Sequence, residues 1–391
     1  MGENVTAVES LDGVEVYTRA ELTQCRHWSQ AFAAERKDRR YYELVEDTMH
    51  PEFDYRYFAV KDDSGTVCAV QPFFILDQDL LVGASRKFRA SIGRIRRLFP
   101  GFMRVRTLMV GCVAGEGHLD AAEELPRRAL ARTLAAAITG HARSLRAPLI
   151  VLKEFPASYR TSLGNFLERG FTRVPSLPMT RVSIDYPSFD DYMKRALNSA
   201  TRTKLRRKFR AASSAQPIEM SVVGDVTPII DEIYPLYLNV YDRSKLHFER
   251  LTKGYFCSLG RLMPDKVRFF VWRQDGRIVA FAECMLQGRA FYAEYIGLDY
   301  AVAIDLHLYH YAYRDMVSWA IANGYKEFRS SGLNYDPKLH LRHRLDPIDL
   351  YVRHTSQILN QTLKVLLPLL EPTKYDKTLR KFANYNELWG G

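Results

Sequence analysis

The sequence predicts a protein of mixed α/β (α+β) class. It has mixed sheets and is made of two similar halves. The main observation is a weak internal repeat between YFAVKDDSGTVCAVQPFFILDQ (Tyr57–Gln78) and FFVWRQDGRIVAFAECMLQGR (Phe269–Arg289). Each segment has an aromatic-led strand, a short turn with Asp and Gly, and a second apolar strand, which is the pattern of a β-hairpin. The two segments lie about half a chain apart, and a length of 391 residues suits two domains.

Each predicted hairpin is followed by the same series of elements. After the first come a strand near Val105–Gly111, a long helix around Ala121–Ser144 and the buried strand PLIVLKEF. After the second come the strand AFYAEYIGL, a helix around Ile304–Ala322 and the short strand KEFRS. This order of strands, helix and strand is typical of a domain with a mixed sheet.

The domain boundaries follow from the repeat. We place the first domain at residues 1–186 and the second at residues 187–356. Residues 357–391 begin with the amphipathic segment LNQTLKVLLPLL, and we expect them to form a helical tail that packs on the domains.

The composition favours a globular protein that attracts anions. Hydrophobic residues make up 47% and charged residues 26%, which is enough apolar material for a full core. The formal net charge of +11 attracts phosphates, nucleic acids, anionic lipids or acidic carrier proteins. Five scattered cysteines without CxxC spacing predict neither disulfides nor structural zinc. No apolar run is long enough to span a bilayer and the first residues lack a secretion-signal pattern, so we expect a cytoplasmic protein.

The most basic segment is LNSATRTKLRRKFRAA. It holds six Lys or Arg between Arg202 and Arg210, and no carboxylate occurs between Asp191 and Glu219. A helix capped by Asn198 or Ser199 would dock through Leu205, Phe209 and Ala212 and would leave the basic residues outside. A solvated helix normally intersperses Glu among its basic residues. The pattern therefore favours a polyanionic partner over a plain solvated face.

Two further basic clusters support a phosphate-rich ligand. One run without carboxylates, between Asp79 and Glu116, contains Arg86, Lys87, Arg89, Arg94, Arg96, Arg97, Arg104 and Arg106. It leads into GCVAGEGHLDAAEE, where Gly111, Gly115 and Gly117 predict either an anion-binding loop before a helix or a mobile loop. The other cluster consists of Lys338, His340, Arg342, His343 and Arg344.

Three segments of the second half carry a family resemblance. SFDDYMKRALNSATRTKLRRKFRAA resembles the entry signature of FemAB-like and related double-domain GNAT acyltransferases, which belong to the N-acyltransferase superfamily. The segment from Tyr237 to Tyr300 is similar to the body of that family, and SSGLNYDPKLHLRHRLDPIDLYVRH is similar to its closing segment. The resemblance covers Ser188–His354, and it implies two tandem GNAT-like domains of which the first is a diverged copy.

The resemblance implies transfer of an acyl or aminoacyl group to an amine of a small molecule or peptide. The donor would be a thioester of coenzyme A (an acyl-CoA) or of an acyl-carrier protein, or alternatively an aminoacyl-tRNA. Each donor is a co-substrate, so no permanently bound cofactor is expected. The connection LDYAVAIDLHL (Leu298–Leu308) lacks the glycines of the usual pyrophosphate loop, which argues against standard acetyl-CoA binding by the second half. The sequence also shows no coiled arm of the kind that Fem-type transferases often carry, which argues against one known attachment for tRNA without excluding tRNA. A non-catalytic protein that binds polyanions is a further alternative.

Amine acylation requires a base, a group that holds the carbonyl oxygen, and a proton donor for the leaving group. The resemblance implies that backbone N–H groups of AFYAEYIGL hold the carbonyl. Within this strand Glu294 is a carboxylate among aromatic residues, so it is a candidate base or substrate-orienting group. Glu283 on the preceding strand is a second candidate, and Tyr292 and Tyr295 are candidate proton donors. The alternative for each is an ordinary packing role.

Three basic residues are candidates for donor or substrate binding. Lys338 stands where the family has a Lys, and Arg202 stands at the family's Arg position at the head of the basic helix, with Arg206 one turn later. His307 and His310 are spaced for one helix face but lack a third ligand, so no metal site is predicted.

Overall fold

The computed structural model of the protein describes residues 13–49, 53–79, 104–214, 217–244 and 248–390. The chain divides into two compact units. Unit 1 contains Met1–Ser176, Pro347–Tyr375 and Trp389–Gly391, and unit 2 contains Leu177–Asp346 and Asp376–Leu388.

Strands in the described residues are β1 Val14–Tyr17, β2 Asp54–Lys61, β3 Val67–Asp79, β4 Arg104–Val110, β5 Leu149–Pro156, β6 Thr172–Pro175, β7 Met179–Ser183, β8 Ile218–Val223, β9 Val267–Gln274, β10 Arg277–Gln287, β11 Ala290–Leu298, β12 Glu327–Ser330, β13 Arg344–Asp346 and β14 Ile348–His354. The α-helices are α1 Arg19–Leu22, α2 Arg39–Met49, α3 Glu124–Ser144, α4 Gly164–Glu168, α5 Phe189–Ala196, α6 Ser199–Ser214, α7 Ile230–Arg243, α8 Lys253–Leu262, α9 Leu308–Ala322, α10 Tyr335–His340 and α11 Gln357–Leu370. Short 3-10 helices occur at His27–Gln30, Ala157–Tyr159, Thr227–Ile229, Pro372–Lys374, Leu379–Lys381 and Tyr385–Leu388.

Unit 1 contains a mixed sheet in the order β1-β2-β3-β4-β5-β14-β6. The predicted hairpin Tyr57–Gln78 is confirmed as the antiparallel pair β2 and β3. Its turn is closed by the Asp62 side chain, which accepts hydrogen bonds from the N–H groups of Ser64 and Thr66. β4 and β5 are parallel, and α3 provides the crossover between them and packs its apolar face into the same core. The predicted helix begins later than expected, at Glu124, because the backbone of Glu123 is extended.

Unit 2 contains a mixed sheet in the order β13-β7-β12-β11-β10-β9-β8. The predicted hairpin Phe269–Arg289 is confirmed as β9 and β10, joined by a two-residue turn in which Asp275 and Gly276 both have positive φ. Helices α5, α6 and α9 share one apolar core with the sheet. The opposite face carries α7 and α8, where the ring of Phe256 packs on Phe281. β11 and β12 are parallel, with α9 between them in the chain.

The basic helix was predicted correctly, and the later helix was predicted with an early start. α6 runs over Ser199–Ser214, and the Oδ1 atom of Asn198 accepts a hydrogen bond from the N–H of Thr201 at 2.8 Å, as expected for an N-cap. Leu205 is buried in the core, as expected for a helix that docks through this residue. α9 begins only at Leu308, because His307 has the left-handed backbone conformation and separates the helix from the preceding turns.

The division into units differs from the predicted boundaries at residues 186 and 356. β7 precedes the first of these boundaries, yet it pairs with β12 and β13 in the sheet of unit 2. β14 precedes the second boundary, yet it pairs with β5 and β6 in the sheet of unit 1. The segment predicted as a tail is also shared, since α11 packs on β6 and β14 while Asp376–Leu388 belongs to unit 2.

Candidate active site

Glu294 lies at a β-bulge in β11. In the pairing with β10, Glu283 stands opposite Tyr295 and the next pair is Cys284 with Ala293. Glu294 is therefore the extra residue of β11, without an opposite residue on β10. A bulge bends its strand and re-aims the bulged side chain, and such bulges are enriched next to active sites.

The bulge coincides with the point where β11 separates from β12. The parallel pairing of the two strands ends at Ala293 and Ser330, whereas β11 continues to Leu298. The last residues of β11 therefore have no partner on β12. Backbone groups at such an open strand edge can bind an extended ligand.

A cluster of carboxylates and tyrosines surrounds the bulge. Glu283 is 0% exposed and Glu294 is 8% exposed. The Tyr295 hydroxyl donates a hydrogen bond to Oε1 of Glu249 at 2.9 Å, and the Tyr255 hydroxyl donates to Oε1 of Glu283 at 3.4 Å. Burial raises the pKa of Tyr295 well above its usual value, and the neighbouring carboxylates, Glu249 first, raise it further. The Tyr295 hydroxyl therefore keeps its proton at neutral pH.

Tyr292, which precedes the bulge, has different neighbours. Its hydroxyl lies 3.4 Å from Oε1 of Gln287, and the guanidinium of Arg329 lies 5.4 Å from its ring centroid. These contacts correspond to the packing alternative. The structure thus brings Glu283, Glu294 and Tyr295 into one cluster and gives Tyr292 a separate set of contacts.

Lys338 lies on α10 and is 5% exposed. Its Nζ donates hydrogen bonds to the carbonyls of Ser331 at 2.6 Å and Leu333 at 3.0 Å, in the loop that directly follows β12. In this loop Leu333 and Asn334 both have positive φ, a conformation that Asn tolerates but that is costly for Leu. Desolvation lowers the pKa of Lys338 to about 7. The lysine therefore exchanges its proton near neutral pH, beside the separation of β11 and β12.

A chain of buried polar side chains also begins at the end of β12. Ser330 Oγ lies 3.0 Å from Thr180 Oγ1, and Thr180 Oγ1 lies 3.2 Å from Nδ1 of His343. The other ring nitrogen, Nε2, lies 3.1 Å from the hydroxyl of Tyr313, which is 3.3 Å from that of Tyr192. Burial lowers the pKa of His343 well below its usual value, with the charge of Lys338 as a smaller cause. A neutral imidazole can both donate and accept, so the chain is connected throughout.

The basic residues of α6 have two kinds of surroundings. Nη1 of Arg202 donates to the carbonyl of Leu197 at 2.7 Å, so this side chain caps the C-terminal end of α5. Arg206 is exposed. Nζ of Lys208 lies 3.0 Å from Nε2 of His310, near the N-terminal end of α9. Burial lowers the pKa of His310 to about 4, with Lys208 as a further cause.

The glycine loop of unit 1 differs from the predicted anion cradle. A Cβ at Gly115 would collide with Nζ of Lys37, and one at Gly117 would lie 2.7 Å from the carbonyl oxygen of Lys153. Lys37 Nζ donates to the carbonyl of Ala114 at 3.2 Å and Lys153 Nζ donates to that of Gly115 at 3.0 Å.

The N–H groups of Gly111 and Gly117 donate to the backbone carbonyls of Pro72 and Glu154. The loop is largely buried and turns its carbonyls toward the protein's own lysines, so it has the geometry of neither an anion cradle nor a mobile loop. Of the basic run before it, Arg86–Arg97 lies outside the described residues, while Arg104 is exposed and Arg106 contacts the carbonyl of Leu145.

Sequence patterns did not reveal Glu249, Tyr255 or the His343 chain. Glu249 lies in an irregular segment and reaches Tyr295 across a separation of 46 residues. No local signal could have identified these residues, because each acquires its role only through the pairing of distant segments. Among the described residues, no group of three His, Cys, Asp or Glu side chains could hold a metal ion, and none of the helices there is long and apolar enough to cross a membrane.

The strand order and the parallel pair that separates at a bulge define a mixed α/β protein with two tandem GNAT-like domains. The chain belongs to the FemAB-like family, whose model is described as peptidoglycan biosynthesis/recognition and matches residues 121–339. The resemblance noted in the sequence is thereby confirmed. A comparison with curated proteins found no match.

Two solved structures share this fold at low sequence identity, and a third is a weaker match. FemX is 12% identical, with a TM-score of 0.53 over 90% of this chain and 100% of that chain. L-PGS from Bacillus licheniformis is 13% identical, with a TM-score of 0.50 over 86% of this chain and 96% of that chain. A tandem GNAT protein from the clavulanic acid biosynthesis pathway is 10% identical, with a TM-score of 0.48 over 88% of this chain and 99% of that chain.

Proposed function

We propose that the protein transfers an acyl or aminoacyl group from an activated donor to an amine, and that the reaction takes place at the bulge of β11 in unit 2. The observation that carries this proposal is the position of Glu294 and Tyr295, where a bulge interrupts the pairing of β11 with β10 and the parallel pairing of β11 with β12 has ended. A base and a protonated hydroxyl thereby stand next to an open strand edge.

The acceptor amine requires a base. In this proposal Glu294, or Glu283 beside it, takes a proton from the ammonium group so that the nitrogen lone pair can attack the donor carbonyl. A bond then forms between nitrogen and the carbonyl carbon, and the bond from that carbon to sulfur or oxygen breaks. Both carboxylates are buried at the bulge, and a carboxylate held in place is a common general base.

The donor carbonyl and the leaving group need stabilisation of opposite kinds. Backbone N–H groups at the open edge of β11 would hold the carbonyl oxygen as it gains charge, in the manner of an oxyanion hole. The leaving thiolate or alkoxide needs a proton. The Tyr295 hydroxyl and the ammonium form of Lys338 are the two donors that the site offers, since the pKa of Lys338 is lowered to about 7.

The phosphate-bearing part of the donor would bind the basic surface of α6. Lys204, Arg206 and Arg207 are exposed on this helix, and Lys208 is turned toward the start of α9. These charges suit an acyl-CoA or an acyl-carrier protein, and they also favour a second candidate, an aminoacyl-tRNA, because a row of exposed basic residues can follow a nucleic-acid backbone. Arg202 lies at the start of this helix, where its side chain caps the end of α5.

The acceptor would be an amine of a small molecule or peptide. The family description, peptidoglycan biosynthesis/recognition, supports the amine of a cell-wall peptide as the first acceptor to test. A protein that only binds polyanions through α6 is the alternative from a different class, and it would not require the carboxylates of the bulge.

A transfer assay with two separate variants tests the proposal. The purified chain is incubated with radiolabelled acyl-CoA, acyl-carrier protein or aminoacyl-tRNA and with amine acceptors, and the label is followed into an alkali-stable amide. Glu294→Gln should lower transfer by about 100-fold, while Glu232→Gln, on the exposed surface of α7, should leave it unchanged. Neutralising Lys204, Arg206 and Arg207 should weaken donor binding, and the favoured donor is the one whose binding these changes reduce. If the α6 variant loses binding while no donor yields an amide, the protein is a binder and the proposal is wrong.

A further inference from the structure

α11 of unit 1 presents a broad apolar surface. Its exposed apolar side chains are between 43% and 81% accessible, and they are Ile358, Leu359, Val365, Leu366, Leu369 and Leu370. Because each residue of an α-helix advances by about 100°, these six positions fall within an arc of about 140°. Monomeric proteins rarely leave a continuous apolar patch of this kind uncovered.

The other side of α11 is fixed to unit 1, so the apolar arc must point outward. Asn360 is 7% exposed, and its Oδ1 accepts a hydrogen bond from the N–H of His354 at 2.9 Å. Its Nδ2 donates to the carbonyl of Gly170, also at 2.9 Å. Leu363 and Leu367 lie on the same side and are half-buried. These contacts define which face of the helix packs on the sheet and which face remains exposed.

Positive charges gather at the start of the same helix. Nη2 of Arg143 donates to the carbonyl of Thr355, just before α11. Arg353 lies on β14, with its guanidinium 5.8 Å from the ring centroid of Phe171, and Arg169 directly precedes the Gly170 that Asn360 contacts. In the described chain these three arginines form no ion pair with a carboxylate. Burial lowers the pKa of Arg353, and the charges of Arg143 and Arg169 lower it further.

The chemistry of this surface selects the kind of partner. A helix with exposed leucines on one side and arginines at its margin suits an interface that is apolar inside and anionic outside. A nucleic acid would leave the apolar arc in water. A second copy of the chain would also cover the apolar arc, and the light-scattering measurement below distinguishes this case.

We propose that α11 and the arginines 143, 169 and 353 dock unit 1 on the surface of an anionic lipid bilayer. The apolar arc enters the boundary between headgroups and acyl chains, and the guanidinium groups contact lipid phosphates. The inference concerns unit 1 alone, so it stands independently of the reaction proposed for unit 2.

Vesicle co-sedimentation of the full chain tests this inference. The wild-type protein should sediment with vesicles of phosphatidylcholine that contain about 30% phosphatidylglycerol, and about tenfold less with phosphatidylcholine alone. The double variant Leu369→Ser with Leu370→Ser should bind the anionic vesicles at least about tenfold more weakly. Its melting temperature should be unchanged, because both side chains are exposed. Arg169→Gln should weaken binding about fivefold and reduce its dependence on salt.

A matched control is available on another helix of the same unit. Leu125, on α3, is 76% exposed, so Leu125→Ser removes a comparable apolar side chain and should leave vesicle binding unchanged. The inference is wrong if the wild-type protein binds neither kind of vesicle, or if the Leu369 and Leu370 variant binds as well as the wild type. It is also wrong if light scattering shows a dimer that the double variant dissociates while vesicles are not bound, because a second copy would then cover the helix.

Discussion

Lys338 provides a prediction whose magnitude follows from its burial. The folded-state pKa is about 7, whereas the ordinary value is 10.5. Between these two values the unfolded chain binds more protons than the folded chain, so the free energy of unfolding should rise as the pH increases from 7 toward 10.5. From pH 7 to pH 10 the contribution of this single group amounts to about 3.5 kcal/mol. That is a large share of the stability of an ordinary domain.

The substitution Lys338→Met isolates this contribution. The variant cannot carry the charge, and its loss of the hydrogen bonds to Ser331 and Leu333 does not depend on pH. All other titrating groups are common to both proteins, so the difference in unfolding free energy should change by about 3.5 kcal/mol between pH 7 and pH 10, in favour of the wild type at high pH.

The measurement is urea unfolding of wild type and variant at a series of pH values, followed by a signal from unit 2. Lys338→Arg serves as a comparison, since a guanidinium stays charged and should be destabilising throughout this range. A difference between wild type and Lys338→Met that stays constant from pH 7 to pH 10 would show that Lys338 has an ordinary pKa. The proton-donor role proposed for it would then have no basis.

Three further predictions concern packing, catalysis and the basic helix. Gly297→Ala should destabilise unit 2 by at least about 2 kcal/mol in chemical denaturation, because a Cβ there would collide with a phenylalanine ring of β10 and with the backbone of α7. Gly140→Ala, inside α3 with open space around it, should instead stabilise unit 1 by about 0.5–1 kcal/mol. Tyr295→Phe should lower kcat about 100-fold with little change in KM if its hydroxyl protonates the leaving group, whereas a purely structural role would reduce stability and leave kcat per folded molecule intact. Arg202→Ala should lower the free energy of unfolding by about 1 kcal/mol because it removes a helix cap. Arg206→Ala should weaken donor binding without changing stability. Equal effects of the two variants on donor binding would contradict these separate roles.

Local patterns were sufficient to predict both hairpins and the basic helix. The turn of Asp275 and Gly276 requires positive φ at both positions, and an Asp-Gly pair between apolar strands predicts such a turn. The cap at Asn198 and the apolar position of Leu205 likewise follow from spacing alone. These features depend on neighbours in the chain, which is why the sequence is informative about them.

Features that depend on distant segments could not be predicted in this way. β14 follows residues 177–346 of unit 2 in the chain, yet it returns to the sheet of unit 1. No local signal marks the two strands, β5 and β6, between which it inserts. The glycines of the loop after β4 fit a phosphate-binding pattern, but Gly115 leaves room for the Lys37 side chain, and Gly111 and Gly117 pack against the next strand, β5, at the carbonyl of Lys153. Glu294 was identified as a carboxylate among aromatic residues, whereas the bulge and the partner carboxylate Glu249 became visible only with the strand register.

The reaction proposed for unit 2 depends on proton transfer by the carboxylate at the bulge of β11. The most direct measurement is the single-turnover rate of amide formation by wild type and Glu294→Gln as a function of pH, with Glu232→Gln as the control. Glu294→Gln should reduce the rate by about 100-fold near neutral pH, and the deficit should shrink at high pH, where the acceptor amine is already deprotonated. A Glu294→Gln protein that forms the amide at the wild-type rate across the same pH range would contradict this role of Glu294.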